Sequence, residues 1–161
     1  MRIKFFTTGG TIDKVYFDAK SEFEVGPPQV LEVVKEANVT FDYDIESILQ
    51  KDSLDMTQSD RDLVRQKVAA EPCPRIVITH GTDTMEQTAA VLGQAVSGKT
   101  IVLTGAMVPY TFGSSDGMFN LGTALAFVQA LDSGVYVAMN GRCFTWNKVH
   151  KNREFGIFEA R

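Results

Sequence analysis

No apolar run in the chain approaches the roughly 18 residues that would suggest a membrane span. The N-terminus, Met-Arg-Ile-Lys-Phe-Phe, lacks the long apolar core and small-residue cleavage site of a secretory leader. No membrane association is expected, and the cytoplasm is the expected location. A basic excess is missing too. Lysine and arginine number 16 against 20 acids, for a net charge of −4, so nucleic acid is not an expected partner. Cysteine is scarce. Cys73 and Cys143 lie far apart with no metal-type spacing around either, and free thiols are expected rather than a disulfide. The Gly-x-Gly-x-x-Gly and Walker phosphate patterns are absent.

What is present is an ordinary globular composition, 44% hydrophobic and 22% charged over 161 residues, enough for one domain with a full-sized core. Apolar runs at Ile3–Phe6, Ile76–Thr79, Thr100–Leu103 and Val135–Met139 each run into a glycine and read as strands. Phe41, Tyr43 and Ile45 alternate with polar residues, a half-buried strand extended by Ile48 and Leu49. Between the strands, apolar residues recur at helical spacing. One set is Val30, Val33, Val34 and Ala37, in a helix begun by Pro27-Pro28. A second is Leu63, Val64 and Val68, capped by Ser59 or Asp60 and stopped by Pro72 and Pro74. Met85, Thr88, Ala89 and Leu92 mark a third, and Leu121, Ala124, Leu125 and Val128 a fourth. The alternation predicts an α/β fold, a mainly parallel open sheet with helices on both faces, in a single domain over 1–161. The polar stretch Asp13–Gly26 reads as a long loop. Its Tyr16, Phe17 and Phe23 point to a lid that closes on something apolar. After Gly141 the periodicity is weak.

In open α/β sheets, ligands bind beyond the carboxyl ends of strands. Two strand ends here carry hydroxyls. Gly9-Gly10-Thr11 places one after two residues that allow close backbone approach. It serves either as an activated nucleophile or as part of a tight turn. Thr82-Asp83-Thr84 places hydroxyls beside a carboxylate, either for a substrate or to cap the next helix, with Glu86 a favourable charge in its first turn. His80 is expected to hydrogen-bond locally rather than act as a base. Lys148, Lys151 and Arg153 form a basic patch, either a solvated tail or the source of a lysine drawn into the site. Burial disfavours the charged form of such a lysine, so that it can serve as a base. In the 114–120 stretch, Asp116 or Ser115 is expected to start a helix and Asn120 to tie loops together.

Taken together these turns resemble the bacterial-type asparaginase/glutaminase family. Thr-Gly-Gly-Thr-Ile (8–12) and His-Gly-Thr-Asp-Thr-Met-Glu (80–86) look like its two threonine motifs. Thr-Gly-Ala-Met-x-Pro (104–109), Ser-x-Asp-Gly-x-Phe-Asn (114–120) and Val-x-Met-Asn (137–140) follow in the family's order. The resemblance covers essentially the whole chain but corresponds to the N-terminal domain of the usual two-domain protein. It identifies the chain as a short-chain, single-domain member. It implies hydrolysis of L-asparagine through an acyl-enzyme, without cofactor or metal, in a homo-oligomer. Thr11 would be the nucleophile. Thr82, Asp83 and Lys151 would form the activating group, with Lys148 a distant second choice for the lysine. Ser53 would take the α-carboxylate and Asp83 the α-ammonium, with Gly10, Gly81, Ala106 and Leu54 lining the pocket. Three departures stand out. Phe23 occupies the place of the family's lid tyrosine, for which Tyr16 is the nearest substitute. Leu54 replaces a glutamine. The carboxylate that larger relatives lend from a C-terminal domain has no counterpart. The rivals are hydrolysis of another small amide such as glutamine, and a non-catalytic amino-acid-binding domain.

Overall fold

The computed structural model describes residues 1–161. β1 (Arg2–Gly9) outruns its apolar stretch because Thr7 and Thr8 are buried too, and the ladder to its neighbours continues through Thr7. The segment expected to be a loop from Asp13 to Gly26 is instead an antiparallel hairpin of β2 (Lys14–Phe17) and β3 (Glu22–Val25). Its strand signal is a cross-strand aromatic pair inside a polar stretch, a type of pair that stabilises two-stranded ladders. Tyr16 opposes Phe23 with ring centroids 5.3 Å apart, and Phe23 meets Phe112 at 5.5 Å.

α1 (Val30–Glu36) starts after the two prolines rather than on them. Gln29 is held at its entrance by an N–H bond to the Asp13 carboxylate. β4 (Asp42–Lys51) follows, then α2 (Gln58–Ala70). The cap of α2 is Thr57, not Ser59 or Asp60. Thr57 Oγ1 accepts the Asp60 N–H at 3.2 Å, and the Asp60 carboxylate accepts the Thr57 N–H at 2.8 Å. This reciprocal box satisfies two amides that a single cap would leave open. β5 (Arg75–Thr79), α3 (Met85–Ala95), β6 (Thr100–Thr104), α4 (Gly117–Ala130) and β7 (Gly134–Met139) complete the main alternation. The weakly periodic end forms three further strands, β8 (Arg142–Thr145), β9 (Val149–Asn152) and β10 (Ile157–Ala160).

The main sheet runs β4-β1-β5-β6-β7-β8, all parallel except β8. The expected mainly parallel sheet is therefore present. One core packs α2 and α3 on Phe6, Ile76, Ile78, Ile101 and Leu103. The other packs α1 and α4 on Ile3, Phe5, Val77 and Val102. Helices therefore cover both faces, as expected. The chain winds from β1 outward to β4, then returns across to β5 and on to β7. The winding reverses between β1 and β5, and in such sheets that reversal opens a ligand crevice.

Three crossovers share one hand, and the fourth does not. β1–α1–β4 moves one way across the sheet on the α1/α4 face. β4–α2–β5 and β5–α3–β6 move the other way on the opposite face. β6–α4–β7 moves the second way but on the α1 face, which gives it the opposite, left hand. Right-handed crossovers are the rule in nearly all parallel units. The exception carries the loop after β6 over the sheet to the first turn, where the Tyr110 N–H bonds to the Ile12 carbonyl at 3.2 Å.

Two helical glycines separate packing from propensity. A Cβ on Gly93 would lie 2.4 Å from the Trp146 ring, whereas one on Gly122 would meet nothing within 4 Å. Gly122→Ala is expected to stabilise the protein by about 0.5–1 kcal/mol, and Gly93→Ala to destabilise it. Urea midpoints compared at constant m check both.

Candidate functional site

Two glycines bring the threonine turns together at the switch point. Gly10 adopts φ +87°, a backbone that side chains rarely take. A Cβ there would stand 2.4 Å from Gly81 Cα and 2.4 Å from Gly81 N. Gly81 in turn abuts Ser53, whose Cβ would lie 2.5 Å from an added Cβ. Three loops, following β1, β4 and β5, therefore meet where neither Gly10 nor Gly81 has room for a Cβ. Thr11 and Thr82 each follow one of these glycines. The approach is braced from below. Thr8 Oγ1 donates to the Thr79 carbonyl at 3.0 Å, and the Gly10 N–H to the Lys51 carbonyl at 2.9 Å.

Lys151 reaches the second turn from the C-terminal hairpin β9–β10. Its side chain is 10% exposed, and its Nζ donates to Thr82 Oγ1 at 2.8 Å and to Asp83 Oδ1 at 2.7 Å. The expected trio is therefore a hydrogen-bonded unit. The capping alternative for Thr82, Asp83 and Thr84 is not realised. α3 has no side-chain cap bond, and the Thr84 hydroxyl instead donates to the Ser53 carbonyl at 2.8 Å. The Gly81, Thr82 and Asp83 amides donate to no backbone carbonyl, which leaves N–H groups beside the threonine. Ser53 Oγ is buried with no protein partner. Leu54, next to it, is 63% exposed and lines an open cleft with Lys14, Phe23, Val25 and Asp52. Asp52 bounds this loop. Burial pushes its carboxyl up, but the Lys14 bond, the Leu54 N–H and the charges of Lys14 and Lys151 outweigh that and hold it below the usual range.

His80 is a structural residue, as expected. It is fully buried, and its Nδ1 lies 2.8 Å from the Gly81 carbonyl and its Nε2 2.8 Å from Thr88 Oγ1. A carbonyl only accepts, so Nδ1 carries the proton and Nε2 accepts the Thr88 hydroxyl. Burial pushes the imidazole down to about 4, so it is neutral at pH 7. Ala106 is buried at the neighbouring strand end. Its loop is tied by Asn120, which donates to the Gly105 carbonyl at 3.0 Å and to Asp116 at 2.8 Å. Tyr16 stays on the hairpin, half exposed, with its ring against Phe23 and no hydrogen bond from its hydroxyl. Lys148 is exposed and Arg153 is not a free tail residue, because its guanidinium donates to the Asp83 carbonyl at 3.2 Å.

Glu86 has a second role that helix charge alone did not reveal. Its Oε2 accepts the backbone N–H of Lys151 at 3.1 Å, with His150 3.6 Å away and Arg161 3.7 Å from the other oxygen. An isolated two-stranded hairpin is marginal in water, so this tie to α3 helps fix where the Lys151 chain starts. Glu86→Ala is expected to lower kcat for the chemistry proposed below about tenfold, the worth of one lost hydrogen bond. Glu86→Gln, which keeps an acceptor, should recover most of it. Steady-state kinetics of the two variants check this.

Residues 2–158 match the family described as "Asparaginase, N-terminal". L-asparaginase 2 of Escherichia coli is 34% identical over 149 residues, covering 86% of this chain and 42% of its own. A glutaminase-asparaginase of Acinetobacter glutaminasificans is 42% identical over 110 residues, 66% of this chain and 32% of its own. The thermostable L-asparaginase from Thermococcus kodakarensis superposes with a TM-score of 0.88 at 28% identity, covering 99% of this chain and 51% of that one. A probable cytoplasmic L-asparaginase from Campylobacter jejuni superposes at 0.84 with 34% identity, covering 99% and 52%. The chain thus spans about half the length of these solved relatives, and less than half of the curated ones. With the match running from β1 through β10, the chain belongs to the asparaginase family, over the part that corresponds to its N-terminal domain.

Proposed function

We propose that the protein hydrolyses L-asparagine to L-aspartate and ammonia through an acyl-enzyme on Thr11. The observation that carries this reading is the Lys151 ammonium bridging Thr82 and Asp83, one residue beyond the Gly10–Gly81 contact. An amino-acid binder has no use for two threonines and a lysine around one crevice. Thr11 Oγ attacks the side-chain amide carbon and forms an ester as ammonia leaves. The Thr82–Lys151–Asp83 group carries the proton from the attacking hydroxyl to the departing nitrogen, then helps water to open the ester. In this reading the amides of Gly81, Thr82 and Asp83, which donate to no backbone carbonyl, stabilise the oxyanion. Ser53 Oγ takes the substrate's α-carboxylate, and Asp83 its α-ammonium.

Leu54 and Phe23 offer no polar contact to the amino-acid end, so the expected KM is about millimolar. The proposed site of action is the cytoplasm, in keeping with the description of the C. jejuni relative. We also assign a homo-oligomer. The 14 residues of α4 carry no charge and leave Phe119 63% and Met118 40% exposed. Ammonia release from L-asparagine and L-glutamine by the purified protein tests the reading. Turnover on asparagine is the expected result. Failure on both amides, with a thermal shift on adding asparagine, would replace the enzyme with an amino-acid-binding domain.

A further inference from the structure

Asp13 follows Thr11 by two residues and takes no part in the chemistry above. Its side chain is buried, with 1% of the residue exposed. Oδ1 accepts the Gln29 N–H at 2.9 Å, and Oδ2 has no partner. Its backbone is tied as well. The N–H donates to the Gly10 carbonyl at 3.1 Å, and the carbonyl accepts the Gly26 N–H at 2.7 Å. One residue thus joins the Thr11 turn, the far end of the β2–β3 hairpin and the entrance to α1. We propose that Asp13 is a positioning residue for Thr11, which holds the turn and hairpin closed as the neutral acid and lets the hairpin open when it ionises.

An ionised Asp13 would be a buried charge without a counter-ion, the costliest state for a carboxyl. The surrounding charges are engaged elsewhere. On the hairpin, Lys14 pairs with Asp52 at 2.7 Å and Glu24 with Lys20 at 2.8 Å. On α1, Glu32 faces Lys35 at 3.5 Å, and Glu36 binds the Tyr110 hydroxyl. Beyond β1, Lys51 pairs with Asp60 at 2.9 Å. α4, whose Gly117 abuts Ile12, has no charged residue, and Asp116 before it accepts the Met107 and Val108 amides. Burial pushes the Asp13 carboxyl up to about 7, against the pull of the Gln29 N–H. In an opened, hydrated hairpin the same group would titrate near its ordinary value of about 4. The closed form therefore binds the proton more tightly. It is favoured most below about pH 4 and loses ground as pH rises to about 7, by up to about tenfold per pH unit, with no further change above.

Global melting would blur this effect. His80, depressed from 6.5 to about 4, favours the fold above its unfolded value and loses that contribution as pH falls, the opposite slope. The direct test is native-state hydrogen exchange of the amides of residues 14–26 from pH 5 to 8. Rates are corrected for intrinsic exchange, in wild type and in Asp13→Asn, which keeps the shape and stays neutral. Opening in the wild type should rise at least about tenfold between pH 5 and 7 and then level off. The variant should stay protected and flat. Parallel curves in the two proteins, or a flat wild-type curve, would overturn the proposal. Should the variant fail to fold, the Asp13 carboxyl carbon can be titrated by NMR in the wild type. A midpoint near 7 supports the proposal, and one near 4 overturns it. A kinetic arm rests on Thr11 as the nucleophile. The ratio of wild-type to Asp13→Asn kcat/KM for asparagine should fall as pH rises through this window, and a constant ratio counts against the positioning role. Absence of turnover in both proteins would speak against amide hydrolysis, while the exchange curves still decide the role of Asp13.

Discussion

Replacing Lys151 with alanine is expected to cut turnover of asparagine about a thousandfold or more, while the protein stays folded. The size follows from the role. A positioned proton-transfer group is worth about 10²–10⁴ in rate, and Lys151 Nζ is the atom that joins Thr82 to Asp83. The modest stability cost follows from exposure. Asp83 is 35% exposed, so once its partner is gone the carboxylate can turn to water. The loss should be about 1 kcal/mol, nearer to a surface pair than to a buried one. Lys151→Arg is not expected to rescue activity. A planar guanidinium does not reproduce a compact ammonium that donates to a hydroxyl and a carboxylate in different directions. Thr11→Ala should lose as much, and the double variant little more than either alone, because groups that act as one unit are strongly non-additive. Single-turnover rates, with circular dichroism to confirm folding, check all four proteins.

The second large effect is expected at Gly10. An alanine there faces two penalties together. The φ of +87° is strained for any side chain, and the new Cβ would stand 2.4 Å from backbone atoms of Gly81, which have no rotamer to move. Overpacking of this kind costs about 1–3 kcal/mol, and the backbone strain adds about 1. The melting temperature should therefore fall by about 10 °C. The functional loss should be larger. Relief can come only by pushing the two turns apart, and a displacement of about 1 Å at reacting groups can cost 10²-fold. Gly98→Ala is the matched control. It has φ +73° but nothing within 4 Å. It should lose a few degrees and no activity.

The parts that were legible in the sequence are those in which one local rule decides. Four of the five parallel strands announce themselves as apolar runs ending in glycine, β4 by its apolar–polar alternation, and the helices by their spacing. Both rest on burial, which acts residue by residue. Each threonine turn alone could equally close a tight turn or cap a helix, and the two became legible only together, as a pair of motifs in the order of the asparaginase/glutaminase family. What stayed hidden depends on distant partners. The β2–β3 hairpin looked like a loop because its strands are polar and pair only with each other, through Tyr16 and Phe23. Thr57 as the cap of α2 was visible in principle. The Thr57–Asp60 spacing is that of a capping box, with aspartate in the place usually held by glutamate. Glu86 read as a helix charge, since nothing local reveals that its carboxylate holds the backbone of Lys151, 65 positions away. Asp13 carried no signal at all. A lone aspartate after a glycine turn is ordinary, and only the fold puts it out of reach of water and of every cation.

The central claim is that Thr11, and not Thr82, carries the acyl group while Lys151 serves the transfer. Rapid quenching of the wild-type protein during turnover of asparagine, followed by peptide mass spectrometry, addresses it directly. The expected result is one aspartyl adduct on the peptide that contains Thr11, absent from Thr11→Ala and accumulating slowly in Lys151→Ala. An adduct on the peptide that contains Thr82, or steady turnover in Thr11→Ala, would contradict the account.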